Sequence, residues 1–115
     1  TTTDLGGLGG TVSVGYAIND ADQVAGEAST AEGAFHAFVF ANGGITDLNP
    51  LIEAAAGAPV IQSAAYDINR RGQVIGRYQI VDPSDPTMPV KTRAFIATPA
   101  GGLLDSLLSL EELAA

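Results

Sequence analysis

One eleven-residue block occurs twice. Tyr16-Ala17-Ile18-Asn19-Asp20-Ala21-Asp22-Gln23-Val24-Ala25-Gly26 returns fifty residues later as Tyr66-Asp67-Ile68-Asn69-Arg70-Arg71-Gly72-Gln73-Val74-Ile75-Gly76, with Tyr, Ile, Asn, Gln, Val and Gly identical in place. Further matches follow in the same order: His36-Ala37-Phe38 with Arg93-Ala94-Phe95, and Gly43-Gly44-Ile45-Thr46-Asp47 with Gly101-Gly102-Leu103-Leu104-Asp105. Thr3-Asp4-Leu5 also matches Thr46-Asp47-Leu48. A repeat of this period means one supersecondary unit used twice, with each unit burying a face against its neighbour. The chain therefore reads as a single domain over 1–115, with one repeat at 3–48, a second at 49–105 and a tail at 106–115. The spacing between matches widens along the chain, which places insertions near 51–60 and 80–90, between elements, where added length is tolerated.

Each unit reads as four short strands, expected near 12–18, 23–28, 34–41 and 45–48, and again near 61–68, 73–81, 92–98 and 103–104. Asn19-Asp20-Ala21-Asp22 has turn chemistry, because Asn and Asp bond their own backbone and tolerate left-handed conformations. Gly72 in the place of Asp22 indicates a positive φ at that position. Asn42-Gly43 is a hairpin signal. Alternation puts His36, Phe38 and Phe40 on one face and Ala37 and Val39 on the other, and pairs Tyr16 with Ile18 and Tyr66 with Ile68. Two segments depart from this pattern. Residues 49–56 predict a short helix, with Asn49 as N-cap, Pro50 in the first turn and Gly57 past the end. Residues 105–114 predict a second, from the recurrence of Leu107, Leu108, Leu110 and Leu113. The expected class is all-β: two four-stranded antiparallel blade-like repeats, propeller-like or packed as a small β-sandwich. A propeller ring takes about 4–8 blades. Two blades would need an array, an assembly of copies, or face-to-face packing.

Composition narrows the function. The 115 residues include no Cys, one His and a net charge of −8. Without Cys there is no disulfide framework, Fe–S centre or Cys-based zinc site, and one His cannot build a multi-His metal centre. Five cations against thirteen acids do not suit a nucleic-acid backbone. No apolar run has the roughly 18–20 residues that would span a bilayer, so no membrane insertion is expected. No charged stretch followed by an apolar one opens the sequence, so the segment is expected to be soluble as given, or a mature or excised piece of a secreted protein. Charge is also divided: residues 1–57 hold Asp4, Asp20, Asp22, Glu27, Glu32, Asp47 and Glu53 and no cation, while Arg70, Arg71, Arg77, Lys91 and Arg93 all lie beyond. Asp20, Asp22 and Glu27 against Arg70, Arg71 and Arg77 are the candidates for head-to-tail pairing of copies.

The blocks Thr3-Asp4-Leu5-Gly6-Gly7-Leu8-Gly9-Gly10, Tyr16-Ala17-Ile18-Asn19-Asp20 through Gly26, and His36-Ala37-Phe38 resemble the bacterial HAF repeat. Residues 3–48 follow its pattern closely. Residues 61–105 depart from it, with Arg93 for the His and Asn49-Pro50 where glycines would stand; Asp22 also replaces a turn glycine. The resemblance implies an extracellular or cell-surface protein, tandem arrays and a propeller-like fold. It supplies no catalytic residues.

Candidate chemistry is sparse. His36 stands alone, and its slot is filled by Arg93 in the second repeat. Asp20 and Asp22 are too few oxygens for a calcium loop, and Arg70 and Arg71 occupy the matching tract. The glycines at 6–10 lack the Gly-Lys-Ser ending of a phosphate loop. No catalytic residue, metal ligand or cofactor site is assigned, and the chain is read as no enzyme. Ile18, Asn19, Gln23, Val24, Gly26 and Phe38, with Ile68, Asn69, Gln73, Val74, Gly76 and Phe95, define the repeat through folding. The isoleucines, valines and phenylalanines are expected to fill equivalent core sites, each worth about 1.5–3 kcal/mol when buried. The expected function is a structural or adhesive module whose partners are other copies or further repeats. The alternative is a small-ligand or surface-glycan binder with Tyr16, Tyr66 and Tyr78 as stacking groups.

Overall fold

The computed structural model describes residues 1–99. Among them, β1 (Gly9–Ile18), β2 (Val24–Thr30), β3 (Phe35–Ala41) and β4 (Gly44–Asp47) precede a helix, α1 (Asn49–Ala56), and β5 (Val60–Ile68), β6 (Val74–Val81) and β7 (Val90–Ala97) follow it. The strands form two antiparallel meanders, one ordered β1-β2-β3-β4 and the other β5-β6-β7. Among the described residues the fold is all-β, without a closed barrel. The first sheet has the expected four strands and the second has three among the described residues. The strand expected near 103–104 and the helix expected near 105–114 lie outside them.

The turn between the first two strands of each unit is built by one asparagine. Asn19 Oδ1 accepts the amides of Ala21 and Gln23, both at 3.0 Å, while its Nδ2 donates to Gln23 Oε1 at 2.7 Å. Asn69 repeats this with Arg71 N, Gln73 N and Gln73 Oε1. Asp22 and Gly72 hold the left-handed position, with φ of 59° and 82°. The β3–β4 hairpin has Asn42 and Gly43 both at positive φ, as a two-residue type I′ turn requires.

Both first strands carry a bulge that simple alternation does not foresee. Gly15 lies opposite Gly26 and Ala17 opposite Ala25, so Tyr16 is the extra residue; Tyr66 is extra between Ala65 and Asp67. The bulge breaks the expected pairing of each Tyr with the Ile two residues on. Tyr16 bonds Glu27, on the side of Ala25, while Ile18 lies opposite Val24 on the other side. Beside each bulge the strands approach so closely that only glycine fits. A Cβ on Gly26 would stand 1.9 Å from the Val14 carbonyl oxygen, and one on Gly76 equally close to that of Ala64. The rings of Phe38 and Phe95 lie across these glycines.

The helix forms where expected, but its cap differs. Leu48 is the N-cap, with no side-chain cap bond, and Asn49 is already helical. Asn49 is recruited to the core instead: its Oδ1 accepts from Ser63 Oγ at 2.7 Å, and Asp47 Oδ1 takes its amide at 2.8 Å. Gly57, left-handed at φ 69°, ends the helix. The first insertion is therefore mostly helix, and the second is the 82–89 loop.

The core lies between the sheets. Ala25, Ala37 and Val39 of the first sheet pack with Ala65, Ile68, Val74 and Ile80 of the second, and Leu48 and Ile52 join them. A face rich in alanine meets one rich in branched side chains, which lets the two interlock. Ile18 departs from its expected core role: it is 65% exposed, whereas Ile68 is 5% exposed.

Candidate interaction surface

The two sheets pack by unlike faces. The first sheet contributes the side bearing Ala25 and Val39, and the second the side bearing Val74 and Ile80. Each therefore has one outer face left over, and the leftover faces are of opposite type. The outer face of the second sheet carries Ile75 and Ile96, 50% and 63% exposed, with Val81 and Val90 also exposed. Its repeat counterpart is the buried side of the first sheet, where Ala25 and Val39 are 0% and 1% exposed. The outer side of the first sheet carries Ile18, 65% exposed, and a half-buried Val24, counterparts of the buried Ile68 and Val74, while Phe38 on the same side is covered. Apolar surface of this kind on both ends of one molecule marks contact sites.

Polar groups along the strand edges follow the same arrangement. Asn19 Nδ2 reaches across to the Asn69 carbonyl at 2.9 Å, joining the two repeat turns. Arg70 stands 4.0 Å from Asp20, with both side chains largely in solvent. Tyr16 and Tyr66, the two bulge residues, meet with ring centroids 5.3 Å apart. Tyr16 donates to Glu27 Oε1 at 2.7 Å, which raises the phenol pKa above its ordinary value. The Arg77 guanidinium lies 5.9 Å from the centre of the Tyr66 ring. Residues at matching repeat positions thus carry opposite charges, Asp20 with Arg70 and Glu27 with Arg77, and the bulges bring the tyrosines between them. Asp22 serves the turn, and Arg71 turns back to Gln73 Oε1 at 2.9 Å. Tyr78 is separate from the tyrosine pair, half-buried against the inter-sheet core.

His36 Nδ1 lies 2.8 Å from Asp47 Oδ2 across the β3–β4 pair. Arg93, its counterpart on β7, is exposed. In the 82–89 loop, Asp85 accepts from Lys91 and from the amides of Thr87 and Met88. The Lys91 bond above all holds the Asp85 carboxyl low, at about 2. Glu27, Gln62, Ser63 and Arg77 line an open cleft of about 50 Å³, well below the roughly 300–1,000 Å³ of ordinary small-molecule pockets. No helix among the described residues is long and apolar enough to cross a membrane.

Sequence reasoning missed the bulges and the exposure of Ile18. Gly26 and Gly76 inside the second strand of each unit were the available signal, since glycine inside a strand marks close backbone approach or a bulge. Comparison with protein-family models, curated proteins and solved structures finds no match for the chain.

Proposed function

We propose that the chain is a non-enzymatic, extracellular structural module built from two blade-like repeats, and that it works by joining its outer sheet faces to further sheets of the same kind. Those sheets belong to other copies or to flanking repeats of a longer array. The observation that carries this reading is the contrast between Ala25 and Val39, fully covered, and Ile75 and Ile96, at least half open at the matching positions. A repeat unit that cannot bury both faces alone is stable only beside a neighbour or with a capped end. The resemblance to an extracellular tandem repeat points the same way.

Light scattering after size exclusion, run over a concentration series, tests the reading. A mass that rises with concentration supports it, and a constant mass at high concentration opposes it. A second reading draws on the exposed Tyr16–Tyr66 pair under Arg77, an arrangement suited to stacking on a sugar ring. A glycan screen in which Tyr66→Ala removes a specific hit would favour that reading.

A further inference from the structure

We propose that a second copy of this chain docks head to tail on the outer face of the first sheet, presenting the outer face of its own second sheet, with Arg93 of the arriving copy held by Asp4. The proposal rests on the reading of the chain as a self-associating module. It is carried by residues 4–6, which already have the geometry of the connector inside the chain's own inter-sheet contact.

That internal connector is residues 47–49. Asp47 Oδ1 accepts the Asn49 amide at 2.8 Å, and Asp47 Oδ2 meets His36 Nδ1 at the same distance. Leu48 N–H donates to the Ala37 carbonyl at 2.9 Å. Ser63 Oγ donates to Asn49 Oδ1 at 2.7 Å and accepts the Ala37 amide at 2.8 Å. Ahead of β1, Asp4 Oδ1 accepts the Gly6 amide at 2.9 Å, as Asp47 does for Asn49. Ser13, the counterpart of Ser63, donates to the Gly6 carbonyl at 2.9 Å. The match Thr3-Asp4-Leu5 to Thr46-Asp47-Leu48 thus extends from sequence to hydrogen bonding.

The partners that complete the internal connector are His36 and Ala37. Their repeat counterparts are Arg93 and Ala94, both exposed on β7. Placed on a neighbouring copy's first sheet, Arg93 supplies the cation for Asp4 Oδ2 and Ala94 supplies the amide for Ser13 Oγ. Ile75 and Ile96 then cover Ile18, as Ala25 and Val39 cover Ile68 within one chain. The turn column continues too: Asn69 Nδ2 reaches the Asn19 carbonyl of the next copy, and Arg70 comes beside its Asp20. Charge selects a second copy as the occupant, because the acidic half presents Asp4 and Asp20 where the other half presents Arg93 and Arg70. The contact is heterologous, so every addition leaves both faces available again and growth ends in a ring or continues as a filament.

Charge reversal with complementation tests this. Asp4 and Arg93 are both exposed, so Asp4→Arg and Arg93→Asp leave the fold intact, which circular dichroism checks. Each variant alone is expected to associate about tenfold more weakly than wild type, and an equimolar mixture to recover to within about threefold, since every contact between unlike variants again sets an Asp against an Arg. If wild type associates but neither reversal matters, or the mixture does not recover, the proposal is overturned while the self-association reading stands. Weakening by Asp105→Arg in place of Asp4→Arg would assign Arg93 to its own chain and overturn it equally. A wild type that stays monomeric removes both.

Discussion

Ile18 and Ile68 are the same residue, three positions after the same glycine-faced bulge region begins and one before the same asparagine turn, yet one is 65% exposed and the other 5%. Their cross-strand partners, Val24 and Val74, also match. The difference is that the second sheet has the first to pack against, while among the described residues no sheet lies on the outer face of the first. Ala25 and Val39 against Ile75 and Ile96 teach the same lesson from the other side. The local fold of each repeat is set by its turn, bulge and close-approach glycine, but its burial is set by what stands next to it.

Mutations at matching positions can break or sharpen this comparison. The largest contrast is expected from Ile68→Ala against Ile18→Ala. The first should cost about 2–5 kcal/mol in chemical denaturation, by lost burial and a residual cavity. The second should change monomer stability by less than about 0.5 kcal/mol and act instead on association. Equal losses would show that Ile18 is packed within its own chain.

The glycines should behave oppositely, with no contrast between repeats. Gly26→Ala and Gly76→Ala each force a Cβ to 1.9 Å from a carbonyl oxygen. Both should lose at least about 1–3 kcal/mol, the usual range for overpacking, and thermal melts read this directly. A large loss at only one site would mean that the two bulges are not equivalent.

The smallest effect concerns a loop that only the second repeat has. Asp85 has its carboxyl pKa lowered to about 2, chiefly by Lys91. A depressed carboxylate contributes its bonds fully above the ordinary carboxylate pKa and loses them as pH falls through the folded value. The 82–89 loop should therefore stay tied down to about pH 4 and loosen toward pH 2, with little change in the first repeat. Carboxyl chemical shifts followed by NMR would show Asp85 titrating late; titration of Asp85 at an ordinary carboxylate pH would oppose this.

Much of the fold was legible because its devices are local. The Asn–Gln turn, the Asn42-Gly43 hairpin and the Gly57 helix stop each follow from a few adjacent residues. The bulges were not read, because an extra residue in one strand shows only against its partner. Asn49 looked like a helix cap, since its buried partner Ser63 lies on a strand beyond the helix. The candidate surface was half legible. Opposite charges at matching positions were visible in the sequence. Which faces were open was not, because identical isoleucines carry no record of their neighbours.

Isoleucine methyl NMR over a dilution series tests the central claim most directly. If the outer faces are the contacts between copies, the methyls of Ile18, Ile75 and Ile96 shift and broaden as concentration rises, while those of Ile52, Ile68 and Ile80 hold still. Methyl positions that do not change at any concentration, or changes confined to the buried set, would contradict it.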